Sequence, residues 1–177
     1  MPEVAELITE SLNLLRPLED AELPAVLEHG DFGHPNLLLL PSHRMAAIDW
    51  ERFEPEGLPC LDLVFFLQYV KECQASATTI PDQVAAFDSA FTGPDCWAAK
   101  YLQAYAARLG IDEAVLPELV LASWARIVAG LAPRLQPASG SMAPASAGAD
   151  YVRETVLQDR DFALWQHAVS RFGRILR

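Results

Sequence analysis

Two closely spaced prolines, Pro35 and Pro41, limit the structure of the first third of the chain more than any other feature. They enclose the run Leu37–Leu40 and leave too little room for a helix, because proline disrupts a helix interior. A second apolar run, residues 45–48, follows residues 41–44. The pattern therefore predicts a β-hairpin in which residues 41–44 form a four-residue loop.

Most of the remaining chain has the residue pattern of helices. Residues 3–16 carry apolar side chains at helical spacing, and Pro17 ends that pattern. Residues 54–59 are rich in Pro and Gly and are predicted to form a loop. Further helices are predicted at residues 62–74, 81–91, 94–109 (ended by Gly110), 112–135 and 151–176. Residues 137–149 contain mainly Ala, Ser, Gly and Pro and are predicted to be a loop or flexible linker.

The fold class predicted by these patterns is α+β, predominantly α-helical, with a small β-hairpin near the start. Since 177 residues suffice for one hydrophobic core, we expect residues 1–177 to form a single domain. Within it, residues 1–23 are a leading helix and connector, and residues 24–63 carry the hairpin with its flanking loops. Residues 64–177 are expected to form a helical subdomain.

The chain carries a formal net charge of −11. Nucleic acids and anionic membranes bind basic surfaces, so we expect neither as a partner. The charge is compatible with a cationic substrate and equally with solubility alone. Residues 1–6 lack the pattern of a signal peptide, and no apolar run reaches the length of a membrane span, so a cytoplasmic location is expected. The cysteines, at positions 60, 73 and 96, have no metal-binding spacing and are expected to be free thiols.

A polar residue precedes the first predicted strand of the hairpin, and another follows the second strand. A four-residue loop makes Leu40 face Met45, and in that register Asn36 faces Asp49. Directly opposed residues have Cβ atoms about 4.5–5.5 Å apart, so an amide oxygen and a carboxylate meet at one point, as a Mg²⁺ site requires. Asp31, in the preceding loop, is expected to lie nearby and to orient an incoming hydroxyl for phosphoryl transfer.

Three sequence segments carry a family resemblance. The string HGDFGHPN (residues 29–36), followed by IDWE (residues 48–51), resembles the catalytic-loop and metal-binding motifs of aminoglycoside phosphotransferases and choline-kinase-like enzymes, which are related to protein kinases. The segment GLPCLDL (residues 57–63) resembles the family's next landmark, a Gly-x-Pro-x-x-Asp-Leu segment that opens a helix. Together and in this order the motifs are specific, and the resemblance covers about residues 27–63 closely.

The resemblance implies the fold and the activity of a kinase-like C-terminal lobe. In this family, Mg²⁺-ATP donates its γ-phosphoryl group to a hydroxyl of a small substrate such as an aminoglycoside, an amino alcohol or a sugar-like metabolite. The resemblance implies that Asp31 is the catalytic residue and that Asn36 and Asp49 bind Mg²⁺. It also implies that His29 and Asp62 support the loop structurally.

The sequence departs from the family pattern in two places, and the larger departure lies upstream of His29. Only 28 residues precede it, and they are predicted to form a helix and a connector, so we expect the N-terminal lobe that covers ATP to be absent. The lysines, Lys71 and Lys100, both lie downstream, so neither matches the strand lysine of that lobe. A smaller departure is the order of Gly33 and His34, which differs from that of many members.

These observations leave several functions open. The chain is a fragment of a longer phosphotransferase, a lobe completed by a partner, or a non-catalytic ligand- or partner-binding module. A missing lobe would leave an apolar face to be covered by a partner chain or a second copy. A metallophosphoesterase is less favoured, because its two-metal site needs further His and Asn ligands. The chain has only four histidines, at positions 29, 34, 43 and 167.

Overall fold

The structure is a computed structural model that describes residues 2–93, 96–131 and 145–177. It is predominantly helical, with short antiparallel strand pairs near the start, so the α+β class is confirmed. The helices are α1 (Pro2–Leu14), α2 (Leu61–Ala75), α3 (Ile80–Phe91), α4 (Ala99–Leu109), α5 (Leu116–Ala129), α6 (Ala145–Leu157) and α7 (Arg160–Arg171). The strands are β1 (Val26–Glu28), β2 (Leu37–Leu40), β3 (Arg44–Ala47) and β4 (Glu54–Gly57).

The helix ends follow local capping signals. Helix α3 begins with a capping box in which the Thr79 side chain and the Asp82 carboxylate exchange hydrogen bonds with backbone N–H groups. Helix α4 ends at Gly110, whose φ of +71° is a conformation that glycine adopts without strain. The predicted stop at Gly110 is therefore confirmed, although α4 begins at Ala99 and not at residue 94.

Two predictions about the C-terminal third are wrong in part. Helix α6 begins at Ala145, so residues 145–149 of the predicted linker are helical, and the rest of that linker lies outside the described residues. The single helix predicted at 151–176 is two helices, because Asp159 caps a new one by accepting a hydrogen bond from the Asp161 N–H at 2.7 Å.

The hydrophobic core lies among α2, α3, α5 and α7. Its largest fully buried side chains include Trp124, Phe87, Phe91, Leu102 and Leu164. Helix α1 packs against α7, where the Trp165 indole N–H donates a hydrogen bond to the Ser11 hydroxyl at 3.0 Å. No helix in the described ranges combines the length and the apolar character needed to cross a membrane.

Strands β1 and β4 pair antiparallel, so residues 54–57 form a strand where a loop was predicted. The register pairs Gly57 with Val26, and the Glu28 side chain lies over Gly57, so a Cβ there would collide with the Glu28 Cβ and lie 2.7 Å from its Oε2 atom. That oxygen also accepts a hydrogen bond from the Leu58 N–H at 2.9 Å. Glycine is therefore needed at position 57, where the chain leaves β4 towards α2.

Candidate functional site

The loop that leaves β1 is held by the first turn of α2. The Asp62 carboxylate accepts hydrogen bonds from the backbone N–H of His29 at 2.6 Å and of Gly30 at 3.0 Å. Burial raises the pKa of the Asp62 carboxyl, and these two hydrogen bonds act in the opposite direction. One side chain thus fixes the backbone immediately before Asp31.

The His29 side chain is buried under the hairpin. Its Nε2 lies 2.9 Å from the Ile48 carbonyl oxygen, and because a carbonyl only accepts, Nε2 carries the proton. The ring also contacts Trp50, with centroids 4.6 Å apart. Its Nδ1 is buried and has no hydrogen-bond partner among the described residues. His29 therefore connects the loop to the end of β3.

The β2–β3 hairpin forms as predicted, but the predicted register is wrong by one residue. Leu40 pairs with Arg44, where the sequence predicted Met45, and the loop therefore has three residues, Pro41–His43. Ser42 and His43 both adopt positive φ angles, 67° and 56°, which allows the tighter turn.

The one-residue shift changes the neighbours of the predicted metal ligands. Asn36 lies opposite Ile48, whose N–H donates a hydrogen bond to the Asn36 carbonyl oxygen at 2.9 Å. The expectation that Asn36 directly faces Asp49 is therefore wrong. Asp49 follows one residue later with a φ of +63°, where the chain turns away from the hairpin.

Asn36 and Asp49 nevertheless present the oxygen atoms that a hard cation prefers. The Asn36 side-chain amide donates a hydrogen bond through Nδ2 to the Asp31 carbonyl oxygen at 2.9 Å, and its Oδ1 is the remaining polar atom. Asp49 is exposed and has no hydrogen-bond or ion-pair partner in the described part of the chain. The donor set therefore fits Mg²⁺, and the pairing of these residues on one ion stays a prediction.

Asp31 lies beside a guanidinium group that sequence reasoning missed. The Arg52 Nη1 atom is 3.3 Å from the Asp31 Oδ2 atom, and both side chains are about one-third exposed, at 35% and 32%. Gly30 makes this approach possible, because a Cβ there would lie 2.6 Å from the Arg52 carbonyl oxygen. The arrangement places a fixed positive charge next to the carboxylate.

Asp31 and Arg52 lie on the wall of an open cleft of about 650 Å³. The cleft is surrounded by the loop that carries Asp31, the start of α2, the end of α5 and the start of α7. Its described lining residues include the acids Glu28, Asp31, Asp159 and Asp161 and the arginines Arg52, Arg126 and Arg160. The sequence contained no local signal for this group, because its members come from segments far apart in the chain.

Arg160, at the start of α7, is the most buried of the three arginines. Its guanidinium group lies 2.6 Å from Glu72 Oε1 and 2.6 Å from Asp161 Oδ1. It also lies over the Tyr69 ring, at 4.9 Å from the centroid. Burial raises the pKa of the Asp161 carboxyl, with Arg160 acting in the opposite direction. The cluster joins α2 to α7 beneath the cleft.

Among the described residues, no group of three or more His, Cys, Asp or Glu side chains is arranged to hold a metal ion. The predicted pair of Asn36 and Asp49 is smaller and includes an amide, so it is not of that type.

Comparisons with protein-family models, with curated proteins and with solved structures found nothing that matches this chain.

Proposed function

We propose that the chain is the kinase-like C-terminal lobe of a phosphotransferase that uses Mg²⁺-ATP to phosphorylate a hydroxyl of a small molecule. The observation that carries the proposal is the position of Asp31. It lies in a loop fixed by Asp62, beside Arg52, and on the wall of a cleft large enough for a small molecule. An acceptor hydroxyl in that cleft would meet the carboxylate that orients it.

The residues divide the chemistry between them. In the proposal Asn36 and Asp49 hold Mg²⁺, which neutralises the charge of the phosphates of ATP. Asp31 accepts a hydrogen bond from the acceptor hydroxyl, and Arg52 keeps the carboxylate in place. His29 and Asp62 are positioning residues, since they act on the loop and not on the reactants.

Binding of Mg²⁺-ATP tests the metal site directly. We expect Mg²⁺-ATP to raise the melting temperature of the native chain and to lose this effect in Asp49→Asn. Asparagine is the appropriate replacement, because it tolerates the positive φ at this position better than alanine does. Asp20→Asn, at another exposed aspartate, is the matched control and should respond like the native chain.

The role of Asp31 is tested by separating binding from transfer. Asp31→Asn should keep the Mg²⁺-ATP shift, and phosphoryl transfer should fall by about 10²–10⁴-fold, the usual contribution of a positioned base. An equal shift in Asp49→Asn and Asp20→Asn would contradict the assigned metal ligand. A folded native chain that shows no shift at all would favour the second function.

The second function is a non-catalytic module that binds a partner. It is favoured by exposed apolar side chains around the hairpin, of which Leu39 is 76% exposed. The other members of this set are Leu27, Leu38, Met45, Ile48, Trp50 and Phe53. Monomeric proteins rarely leave large apolar patches uncovered, so in this proposal a partner chain or a second copy covers the hairpin.

A further inference from the structure

The order of Gly33 and His34, the smaller departure from the family pattern, has a steric counterpart in the structure. Gly33 is buried, and its φ lies outside the left-handed region, so its own backbone does not require glycine. A Cβ at this position would lie 3.0 Å from Tyr69 Cε2 and 3.4 Å from Tyr69 Cζ, whereas carbon atoms pack at about 3.5–4.0 Å. A larger side chain, such as an imidazole, would have to displace the Tyr69 ring.

The Tyr69 ring is held in place by side chains of α2 and α7. It is half-buried on α2 and lines the cleft. The Arg160 guanidinium lies over it, 4.9 Å from the ring centroid, and is itself paired with Glu72 at 2.6 Å. The Phe65 ring packs against it nearly edge-on, with centroids 5.1 Å apart. The ring therefore cannot move away from Gly33 without disturbing the contacts between α2 and α7.

Gly33 lies at the centre of the loop that carries the proposed catalytic residue and one proposed metal ligand. Its N–H donates a hydrogen bond to the Asp31 carbonyl oxygen at 2.8 Å, and its own carbonyl oxygen accepts one from the Asn36 N–H at 3.0 Å. The Asn36 side-chain amide closes the loop by donating to the same Asp31 oxygen at 2.9 Å. A displacement of Gly33 would therefore move Asp31 relative to Asn36.

We propose that Tyr69 is a positioning residue of the candidate site. Its ring supports Gly33 from the wall of the cleft and thereby holds the Asp31 carboxylate and the Asn36 side chain at a fixed separation. The roles of Asp31 and Asn36 as catalytic residue and metal ligand rest on the proposed function, whereas the support of the loop by the ring does not. Tyr69 lies on α2 outside the three motif segments, so no sequence pattern assigned it a role.

Amide hydrogen exchange, followed by NMR on the full chain, tests this support. Tyr69→Leu removes the ring and should speed the exchange of the backbone amides of Gly33 and Asn36 about tenfold or more. Tyr69→Phe keeps the ring atoms that face Gly33 and should leave both amides near the native rate. Tyr101→Leu, at an exposed tyrosine on α4, is the matched control and should also leave them unchanged.

The amides of His29 and Gly30 separate local from global effects, because the Asp62 carboxylate holds them independently of the ring. They should keep their native exchange rates in Tyr69→Leu. If they exchange faster by the same factor as the two loop amides, the loss of protection is global and the inference is overturned. Loop amides without protection in the native chain overturn it as well.

A substitution on the loop side tests the same contact and does not depend on the folding of Tyr69→Leu. Gly33→Ala should speed the exchange of the Asn36 amide severalfold, while the His29 amide keeps its rate. In the Tyr69→Leu background the same change should add little, because substitutions of two contacting residues have non-additive effects. An equal effect in both backgrounds, or none in the native chain, contradicts the contact.

Binding of Mg²⁺-ATP distinguishes failure of this inference from failure of the proposed function. Tyr69→Leu should bind Mg²⁺-ATP about tenfold more weakly than the native chain, and Tyr69→Phe should bind it like the native chain. Equal and measurable binding by the native chain and Tyr69→Leu overturns the positioning role. If the loop amides respond as expected and the native chain does not bind Mg²⁺-ATP, the support of the loop by Tyr69 stands and the proposed function is contradicted.

Discussion

Among single residues, Asp62 has the most direct effect on the geometry of the candidate site. It lies 33 positions after His29 and accepts two consecutive backbone N–H groups of the loop that carries Asp31. Hydrogen bonds to a charged acceptor are roughly twice as strong as neutral ones. The position of Asp31 therefore depends on a side chain in another element.

Asp62→Asn is expected to weaken this connection. An amide offers one oxygen and turns its NH₂ group towards a backbone N–H, so one of the two hydrogen bonds is lost. We expect a loss of about 1–3 kcal/mol in the free energy of unfolding, measured by urea denaturation. Asp20→Asn, at an exposed position, should change it far less, and equal effects of the two substitutions would contradict the structural role of Asp62.

The cysteines differ in burial, and their reactivity should differ in the same way. Burial raises the pKa of the Cys60 thiol from its ordinary value of 9.0 to about 12, while Cys73 is exposed. Since the thiolate is the reactive form, iodoacetamide at about pH 8.5 should modify Cys73 quickly and Cys60 only after unfolding, as peptide mass spectrometry can measure. Between pH 9 and 12 the unfolded chain loses the Cys60 proton first, so the contribution of this thiol to stability should fall as pH rises. Fast labelling of Cys60 in the folded chain would contradict the packing of α2.

At the scale of elements, the sequence predicted helices more accurately than strand register. Pro17 and Gly110 were recognised in the sequence because they mark helix ends through their own backbone chemistry. The hairpin loop has no such marker, because Ser42 and His43 adopt the positive φ angles that are usually assigned to Gly or Asn. A one-residue error in loop length was enough to misplace Asn36 relative to Asp49.

The β1–β4 pairing was also missed, since strands of three and four residues carry too little pattern to recognise. Gly57→Ala tests its tight packing. The new Cβ would meet Glu28, which Arg126 and the Leu58 N–H hold in place, so we expect a loss of about 1–3 kcal/mol in unfolding free energy by urea denaturation. Gly173→Ala has open space around the new Cβ and should be nearly neutral, and similar effects of the two changes would contradict this contact.

At the scale of the whole molecule, the cleft arises from contacts between distant segments. Glu28 and Arg126 are 98 positions apart, and Glu72 and Arg160 are 88 positions apart. Sequence reasoning placed Asp31 in the loop before the hairpin, where the structure also has it, because its neighbours carry a local motif. It did not find the arginines, because their partners are defined only by the packing of α5 and α7 against the loop and α2.

Glu72→Ala tests the connection between α2 and α7. The substitution removes a buried carboxylate and leaves the largely buried Arg160 guanidinium with Asp161 as its remaining ion-pair partner among the described residues. Breaking one side of a buried ion pair typically lowers stability by about 3–5 kcal/mol, and we expect a loss near the lower end when urea denaturation is measured. Glu6→Ala, on the exposed side of α1, should have little effect, and equal losses would contradict the role of this cluster.

The hydrogen bonds that the Asp62 carboxylate accepts also bear on how the candidate site opens. Proteins unfold locally in cooperative units. A backbone N–H that is hydrogen-bonded to a side chain in another unit is released only when that unit unfolds. The amides of His29 and Gly30 are held in this way by the first turn of α2, although both residues lie in a loop. The loop segment before Asp31 is therefore expected to stay in place for as long as the first turn of α2 stays folded. Thermal fluctuations of the exposed hairpin beside it need not disturb the Asp31 carboxylate.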